Sequence, residues 1–252
     1  MISIESLTKA YDGTPVVDRV TLDLPESGLT TIIGPNGAGK STLLSLVSRI
    51  LGPDAGSVVA DGVDVFSAPG QEVARRLSVL RQDQHTAARI TVQELVEFGR
   101  FPHSRGRLTP ECRAAVEEAI DYCDLGQFRD RPIHELSGGQ RQRAFIAMVL
   151  AQDTHYLLLD EPLNNLDMVH ATGIMRLLRT LTAEHGKSIV LVLHDINYAS
   201  AYSDRIIAMR DGVVVRDGTA AEVITPEALD EVFGMAFTVH ELGGDRLAAY
   251  FR

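Results

Sequence analysis

Apolar positions along the chain follow two rhythms, and the places where the rhythm changes mark the expected elements. The stretches MISIESL (1–7) and VTLDL (20–24) have β character and are set off by turn residues at Asp12-Gly13 and PESG (25–28). They lead into the continuous apolar run LTTII (29–33), which reads as a buried strand. LLSLVSRIL (43–51) then takes helical spacing. SVVADGVDV (57–65) is a hairpin candidate turning at Asp61-Gly62, and LSVLRQ (77–82) reads as a core strand.

From 83 to 150 the pattern turns helical. Thr91 followed by Glu94 makes a capping-box pattern ahead of Leu95 and Val96, and Thr109-Pro110 is a cap with a first-turn proline opening CRAAVEEAIDYC. Strand character returns in HYLLLDEP (155–162), followed by a helix near 167–185 and the apolar strand SIVLVLHD (188–195). Two short β pieces, RIIAMRDG (205–212) and VVVRDG (213–218), precede a helix opened by Thr225-Pro226. An α/β core interrupted by a helical insertion is the arrangement these signals predict.

Length and composition narrow the function classes. The 252 residues allow one large domain, or a core with a subdomain; 45% are hydrophobic and 23% charged. With 24 Lys and Arg against 34 Asp and Glu the net charge is −10, which argues against nucleic acid as a partner, since that affinity rests on cation–phosphate contacts. The longest uncharged apolar runs, FIAMVLA (145–151) and IVLVL (189–193), fall far short of the roughly 20 residues that span a bilayer. A membrane role is therefore expected to pass through a partner. MISIESLTKAYDG shows no basic stretch followed by an apolar core, so a cytosolic location is expected. Cys112 and Cys123 are read as free thiols, because eleven residues of one helix set them about 16 Å apart.

Four local patterns carry chemistry. GPNGAGKST (34–42) fits G-x-x-x-x-G-K-[ST] through Gly34, Gly39, Lys40 and Ser41, and it lies between a strand and a helix. Glycines let backbone N–H groups converge on phosphate oxygens at a helix N-terminus, Lys40 would reach the β and γ oxygens, and Ser41 would offer a hydroxyl to Mg²⁺. LLLDEP (157–162) puts Asp160 at the carboxyl end of a strand, where ligands bind in α/β sheets. Asp160 would hold the Mg²⁺ water shell, and Glu161 would polarise a water for attack on a γ-phosphate. His194 closes SIVLVLH at the same sheet edge, within reach of such a water; His85, His103, His134, His155, His170, His185 and His240 are read as structural. Arg100, Arg105 and Arg107 are read as a solvated loop, with a surface facing the membrane partner as the alternative.

LSGGQ (136–140), together with these ordered patterns, resembles the ATP-binding subunit of ATP-binding cassette (ABC) transporters over essentially the whole chain. The resemblance implies a P-loop NTPase (RecA-like) core with an N-terminal antiparallel β subdomain (1–85 and 152–252 together) and an inserted α-helical subdomain (86–151). It implies ATP and Mg²⁺ as ligands. ATP would be held by Tyr11, stacking on adenine, and by Gly34, Pro35, Asn36, Gly37, Ala38, Gly39, Lys40, Ser41 and Thr42. Glu161, His194 and the Q-loop residue Gln82 would be catalytic, with Gln84 a competing Q-loop candidate. Ser41, Gln82 and Asp160 would hold Mg²⁺. Leu136, Ser137, Gly138, Gly139, Gln140 and the D-loop acid Asp167 of LNNLD (163–167) would reach the ATP of a second copy, the glycines serving close approach across the interface.

ITVQELVEFGRFPH (90–103), LSGGQRQRAFIAMVLAQ (136–152) and DEPLNNLDM (160–168) look like the ATPases of importers for ferric siderophores, haem and vitamin B12. That resemblance implies a head-to-tail dimer at the cytoplasmic face of the membrane, working with permease subunits and a substrate-binding protein. Ferric siderophores are the first expectation; haem, vitamin B12 and a soluble role such as iron–sulfur assembly remain alternatives.

Overall fold

The computed structural model describes residues 1–82, 89–104 and 106–251; Gln84, His85 and Arg105 lie outside the described residues. Asp-Gly pairs set the early turns. β1 (Ile2–Tyr11) and β2 (Thr14–Leu24) meet at Asp12-Gly13, where φ is 49° and 79°, the positive values a two-residue hairpin turn requires. β3 (Gly28–Ile33) runs through the loop 34–39 into α1 (Lys40–Val47). β4 (Ala55–Ala60) and β5 (Val63–Asp64) turn at Asp61-Gly62, followed by α2 (Gly70–Val73) and β6 (Leu77–Leu80). The helical stretch holds α3 (Val92–Phe98), α4 (Phe101–Ser104), α5 (Pro110–Tyr122) and α6 (Gly138–Ala151). Then come β7 (Tyr156–Asp160), α7 (Met168–His185), β8 (Ser188–Val192), α8 (Ile196–Tyr202), β9 (Arg205–Arg210) and β10 (Val213–Gly218). α9 (Ala220–Val223), α10 (Pro226–Phe233) and the hairpin of β11 (Thr238–Leu242) with β12 (Asp245–Ala249) complete the described chain.

Two sheets position the site. The larger has six strands in the order β10-β9-β3-β8-β7-β6, parallel except for β10. A four-stranded antiparallel sheet, β2-β1-β4-β5, lies beside it. Continuous apolar runs appear in the parallel strands because both of their faces are buried. In β7, Leu157 and Leu159 face the helices, whereas Tyr156 and Leu158 face α1 and the antiparallel sheet. β8 and β9 divide in the same way, Leu191 and Ile206 toward the first core and Val192 and Ile207 toward the second.

The helical stretch shares the first of these cores. Val96, Ile120 and Ile146 of α3, α5 and α6 join Leu157, Leu178 and Leu191 in one continuous cluster. Its caps are those the sequence patterns predict. Thr91 and Glu94 form a reciprocal capping box, and the Thr109 hydroxyl accepts from the Cys112 N–H with Pro110 in the first turn. Cys112 and Cys123 are buried free thiols, and burial pushes the Cys123 thiol up to about 12.

One feature differs from the sequence reading and another goes beyond it. Arg100 is not solvated: it is only 6% exposed, and its guanidinium donates to the Ala151 carbonyl at 2.7 Å, tying the turn between α3 and α4 to the end of α6. Its aliphatic stem is long enough to thread an apolar core while the head reaches a backbone acceptor. The tail from Thr238 folds into the β11–β12 hairpin around Gly243-Gly244, clasped to α8 by Asn197, which both donates to and accepts from the Ala248 backbone.

Candidate active site

The carboxyl ends of β3, β7 and β8 converge on the loop 34–39. Gly34 can be no other residue without movement: its φ is 148° and an added Cβ would lie 2.1 Å from the Met209 carbonyl oxygen at the end of β9. Gly39 caps α1 at φ 95°, with the Val16 carbonyl 2.3 Å from where a Cβ would stand. That carbonyl also abuts Gly212, whose own carbonyl accepts from the Asp18 N–H at 2.9 Å. β2 and the β9–β10 turn therefore clamp the loop in place from two sides.

A cleft of about 400 Å³ opens here, lined by Val16, residues 36–42, Gln82, Glu161 and His194. Lys40 is 5% exposed and its ammonium donates to the Gly34 and Pro35 carbonyls at 2.8 and 2.9 Å. Burial lowers its pKa, and the nearby Glu161 and Asp160 carboxylates oppose that shift. The Ser41 hydroxyl donates to Asp160 Oδ1 at 2.8 Å. Burial raises the Asp160 pKa, with Glu161 adding to the effect and Ser41, Lys40 and His194 opposing it.

Glu161 occupies the left-handed region at φ 50°, unusual for a residue with a side chain, and its carboxyl group is only 7% exposed. Backbone strain of this kind concentrates at functional sites. Three side chains hold that carboxyl group. Gln82 donates its amide N–H to Oε2 at 2.7 Å, Asn164 donates to the same oxygen, and His194 Nε2 lies 2.6 Å from Oε1.

The structure thus brings together Asn36 to Thr42, Gln82, Asp160, Glu161 and His194. Gly34 and Pro35 stand behind the loop as acceptors for Lys40. Tyr11 is not among the residues lining the cleft; its ring is 46% exposed with the Lys9 ammonium 5.8 Å from its centroid. Val16, Asn164 and the pairing of Gln82 with Glu161 go beyond the sequence reading. For Asn164 a signal existed, since it follows Glu161 by three residues in a turn closed by its own N–H to the Glu161 carbonyl at 3.2 Å.

LSGGQ lies elsewhere on the surface and starts α6. Ser137 and Gln140 make a reciprocal capping box, with the Ser137 N–H donating to Gln140 Oε1 at 3.1 Å and the Gln140 N–H to Ser137 Oγ at 3.4 Å. Ser137 and Gly138 are exposed, Gly139 is buried, and Leu136 packs against the first core. Asp167 caps α7, accepting from the His170 N–H at 2.9 Å, a bond that holds its carboxyl below the usual carboxylate range.

Ser41 and Asp160 supply neighbouring oxygen donors at the mouth of a phosphate-type loop, the hard, sparse protein ligation that suits Mg²⁺ shared with phosphate and water. Among the described residues no three His, Cys, Asp or Glu side chains converge into an all-protein metal cage. The donor set fits a nucleotide-borne cation.

Residues 17–164 match the ABC transporter family. The chain belongs to that family. The cassette is 44% identical over 251 residues, covering all of both chains, to the petrobactin import ATP-binding protein YclP of Bacillus subtilis (strain 168). It is 42% identical over 233 residues to the ferric enterobactin transport ATP-binding protein FepC of Escherichia coli (strain K12), spanning 92% of this chain and 86% of that one. Among solved structures it is similar to the dimeric bacterial ABC transporter cassette MJ0796, with 32% identity and a TM-score of 0.78 over 87% of this chain and 99% of that chain. The α/β fold of the family, with its P-loop core, is the fold observed, and the cassette is an ATP-binding subunit with ATPase activity. No helix among the described residues is long and apolar enough to cross a membrane.

Proposed function

We propose that the cassette is the ATP-hydrolysing motor of an importer for ferric siderophores, acting with separate membrane permease subunits and a substrate-binding protein from the cytoplasmic face of the membrane. The observation that carries the catalytic part is the cluster at the strand ends: Lys40 and Ser41 at the loop, Asp160 bonded to Ser41, and Glu161 held by Gln82, Asn164 and His194. The substrate class rests on the petrobactin and enterobactin relatives.

In this reading the N–H groups of residues 36–42 and the Lys40 ammonium bind the β and γ phosphates. Tyr11 stacks on the adenine from outside the cleft. Mg²⁺, when bound through Ser41, Asp160 and Gln82, neutralises charge on the phosphates. Glu161 orients a water and accepts its proton as the water oxygen bonds to the γ phosphorus, while the bond from that phosphorus to the bridging oxygen breaks and leaves ADP and phosphate. His194, against Glu161 Oε1, fixes the carboxylate and faces the same water. The exposed turn at Ser137 and Gly138, with Gln140 and Asp167, covers the nucleotide of a second copy, so closing and opening follow nucleotide binding and hydrolysis. The dimeric form of the related MJ0796 cassette supports this arrangement. We take residues 86–151 as the helical subdomain that carries the signature turn.

Deleting the gene tests the whole reading. Uptake of iron-labelled ferric siderophores should fall to background, return with the wild-type gene, and stay low with Glu161→Gln. Unchanged uptake in the deletion strain would remove the siderophore assignment. Recovery with Glu161→Gln would remove Glu161 from the chemistry.

A further inference from the structure

The second glycine of LSGGQ is expected to be small so that two copies can approach. The fold gives it a different neighbour. Gly139 is buried, and a Cβ built on it would lie 2.1 Å from Cδ2, 2.5 Å from Cγ and 2.9 Å from Nε2 of His170 in the same chain. A real Cβ does not come this close to neighbouring heavy atoms, so the imidazole occupies the space that any side chain at 139 would need. The other edge of the ring is also engaged: Nδ1 lies 2.8 Å from Asp167 Oδ1, the oxygen that accepts the His170 N–H. Gly138 faces the same region, with the Asn165 carbonyl oxygen 3.9 Å from where its Cβ would stand. Asn165 is itself held in the left-handed region at φ 60°. The turn at the start of α6 therefore rests on the turn at the start of α7, with His170 wedged between them.

We propose that His170 is a positioning residue that locks the 136–140 turn and the 163–167 turn of one chain into a single rigid surface, which is then presented to the nucleotide of a second copy. This rests on the proposed role of those turns in covering ATP on the partner. Its physical basis is preorganisation: donors fixed in advance lose less freedom when they meet the phosphate than donors on two independent loops. Glycine at 139 is then required by a contact within the chain, and Ser137 and Gly138, both exposed, are the residues left to face the partner.

A double-mutant cycle on the full chain tests the proposal, read by ATP turnover and by ATP-driven dimerisation in a Glu161→Gln background. Gly139→Ala should weaken both, because its methyl displaces the imidazole from between the two turns. His170→Ala should weaken dimerisation and lower kcat while the ATP affinity of the monomer stays unchanged, since the loop 34–42 is untouched. His170→Asn, whose amide can keep the bond to Asp167, should recover part of that loss. Residues in direct contact couple strongly, so His170→Ala introduced into Gly139→Ala should lower turnover far less than it does in wild type. Independent losses that multiply in the double variant would overturn the proposal and return the glycine requirement to the interface between copies. If Gly139→Ala proves unfolded, the comparison of His170→Ala with His170→Asn decides: equal dimerisation to wild type in both overturns it. Ser137→Arg is the control for the reading beneath. If it leaves ATP-driven dimerisation intact, the turn does not act on a partner at all; if it abolishes dimerisation while the His170 variants and the cycle show no coupling, only the positioning role fails.

Discussion

Gly34 and Gly37 sit three residues apart in one loop, both at positive φ, yet their surroundings differ sharply: an added Cβ at Gly34 meets the Met209 carbonyl at 2.1 Å, and one at Gly37 meets nothing within 4 Å. Replacing each by alanine therefore separates two effects that the bare motif merges. Gly37→Ala incurs only the backbone strain of holding a side chain at φ 81°, about 1–2 kcal/mol. Gly34→Ala incurs that strain and must also push back the carbonyl end of β9, an overpacking cost of about 1–3 kcal/mol more. For a chain of this size each kcal/mol lowers the melting temperature by about 2–4 °C. Gly34→Ala should thus melt several degrees below Gly37→Ala, and it should lose ATP binding further, because the displaced loop carries the carbonyls that orient Lys40. Thermal unfolding and nucleotide titration of the two variants side by side make the measurement. Equal melting temperatures would refute the claim that contact with β9, over and above glycine's conformational freedom, fixes the loop.

Other substitutions probe neighbouring links. Glu161→Gln should cut the steady-state ATPase rate about 10²–10⁴-fold while ATP affinity holds, as removal of a general base does. Asp160→Asn should raise the melting temperature measured without nucleotide at pH 7. The Asp160 pKa is raised on folding, so the charged form weakens the fold at neutral pH; that loss fades as the pH drops through the folded value and is gone below the ordinary carboxyl value of 3.8, so unfolding scans should show the gap closing toward acid. The same variant should weaken Mg²⁺-dependent ATP binding, the opposite sign from its effect on stability. Leu158→Ala, at a fully buried position in β7, should cost about 2–5 kcal/mol in chemical denaturation.

Much of this architecture is legible in the sequence because its signals are local. The Asp-Gly turns, the Thr91 and Thr109 caps and the two-sided apolar strands each follow from residues a few positions apart, and the phosphate loop announces its strand and helix on either side. What escapes the sequence depends on which distant segments meet. Nothing near Val16 says that its carbonyl will wedge between Gly39 and Gly212, and nothing near His170 says that its ring will take the space a side chain at 139 would need. Arg100 misleads for the same reason: three arginines within eight residues suggest a solvated loop, and only the packing of α3 on α6 reveals an acceptor at Ala151. The Gly243-Gly244 turn of the C-terminal hairpin has a local signal, but its flanking strands are too polar to stand out by pattern, and Asn197 of α8 supplies what anchors them.

The central claim is that each nucleotide is bound by residues 34–42 of one copy and completed by residues 137–140 of another. Mixing two inactive variants tests it most directly. Lys40→Ala removes the phosphate-binding lysine and leaves the signature turn intact, and Ser137→Arg does the reverse. In a head-to-tail dimer of one copy of each, one of the two sites joins a sound loop to a sound turn. The mixture should therefore retain ATP and hydrolyse it well above either variant alone. Activity that stays at the level of the separate variants, with mixed dimers demonstrated to form, would contradict the account and return both halves of the site to a single chain.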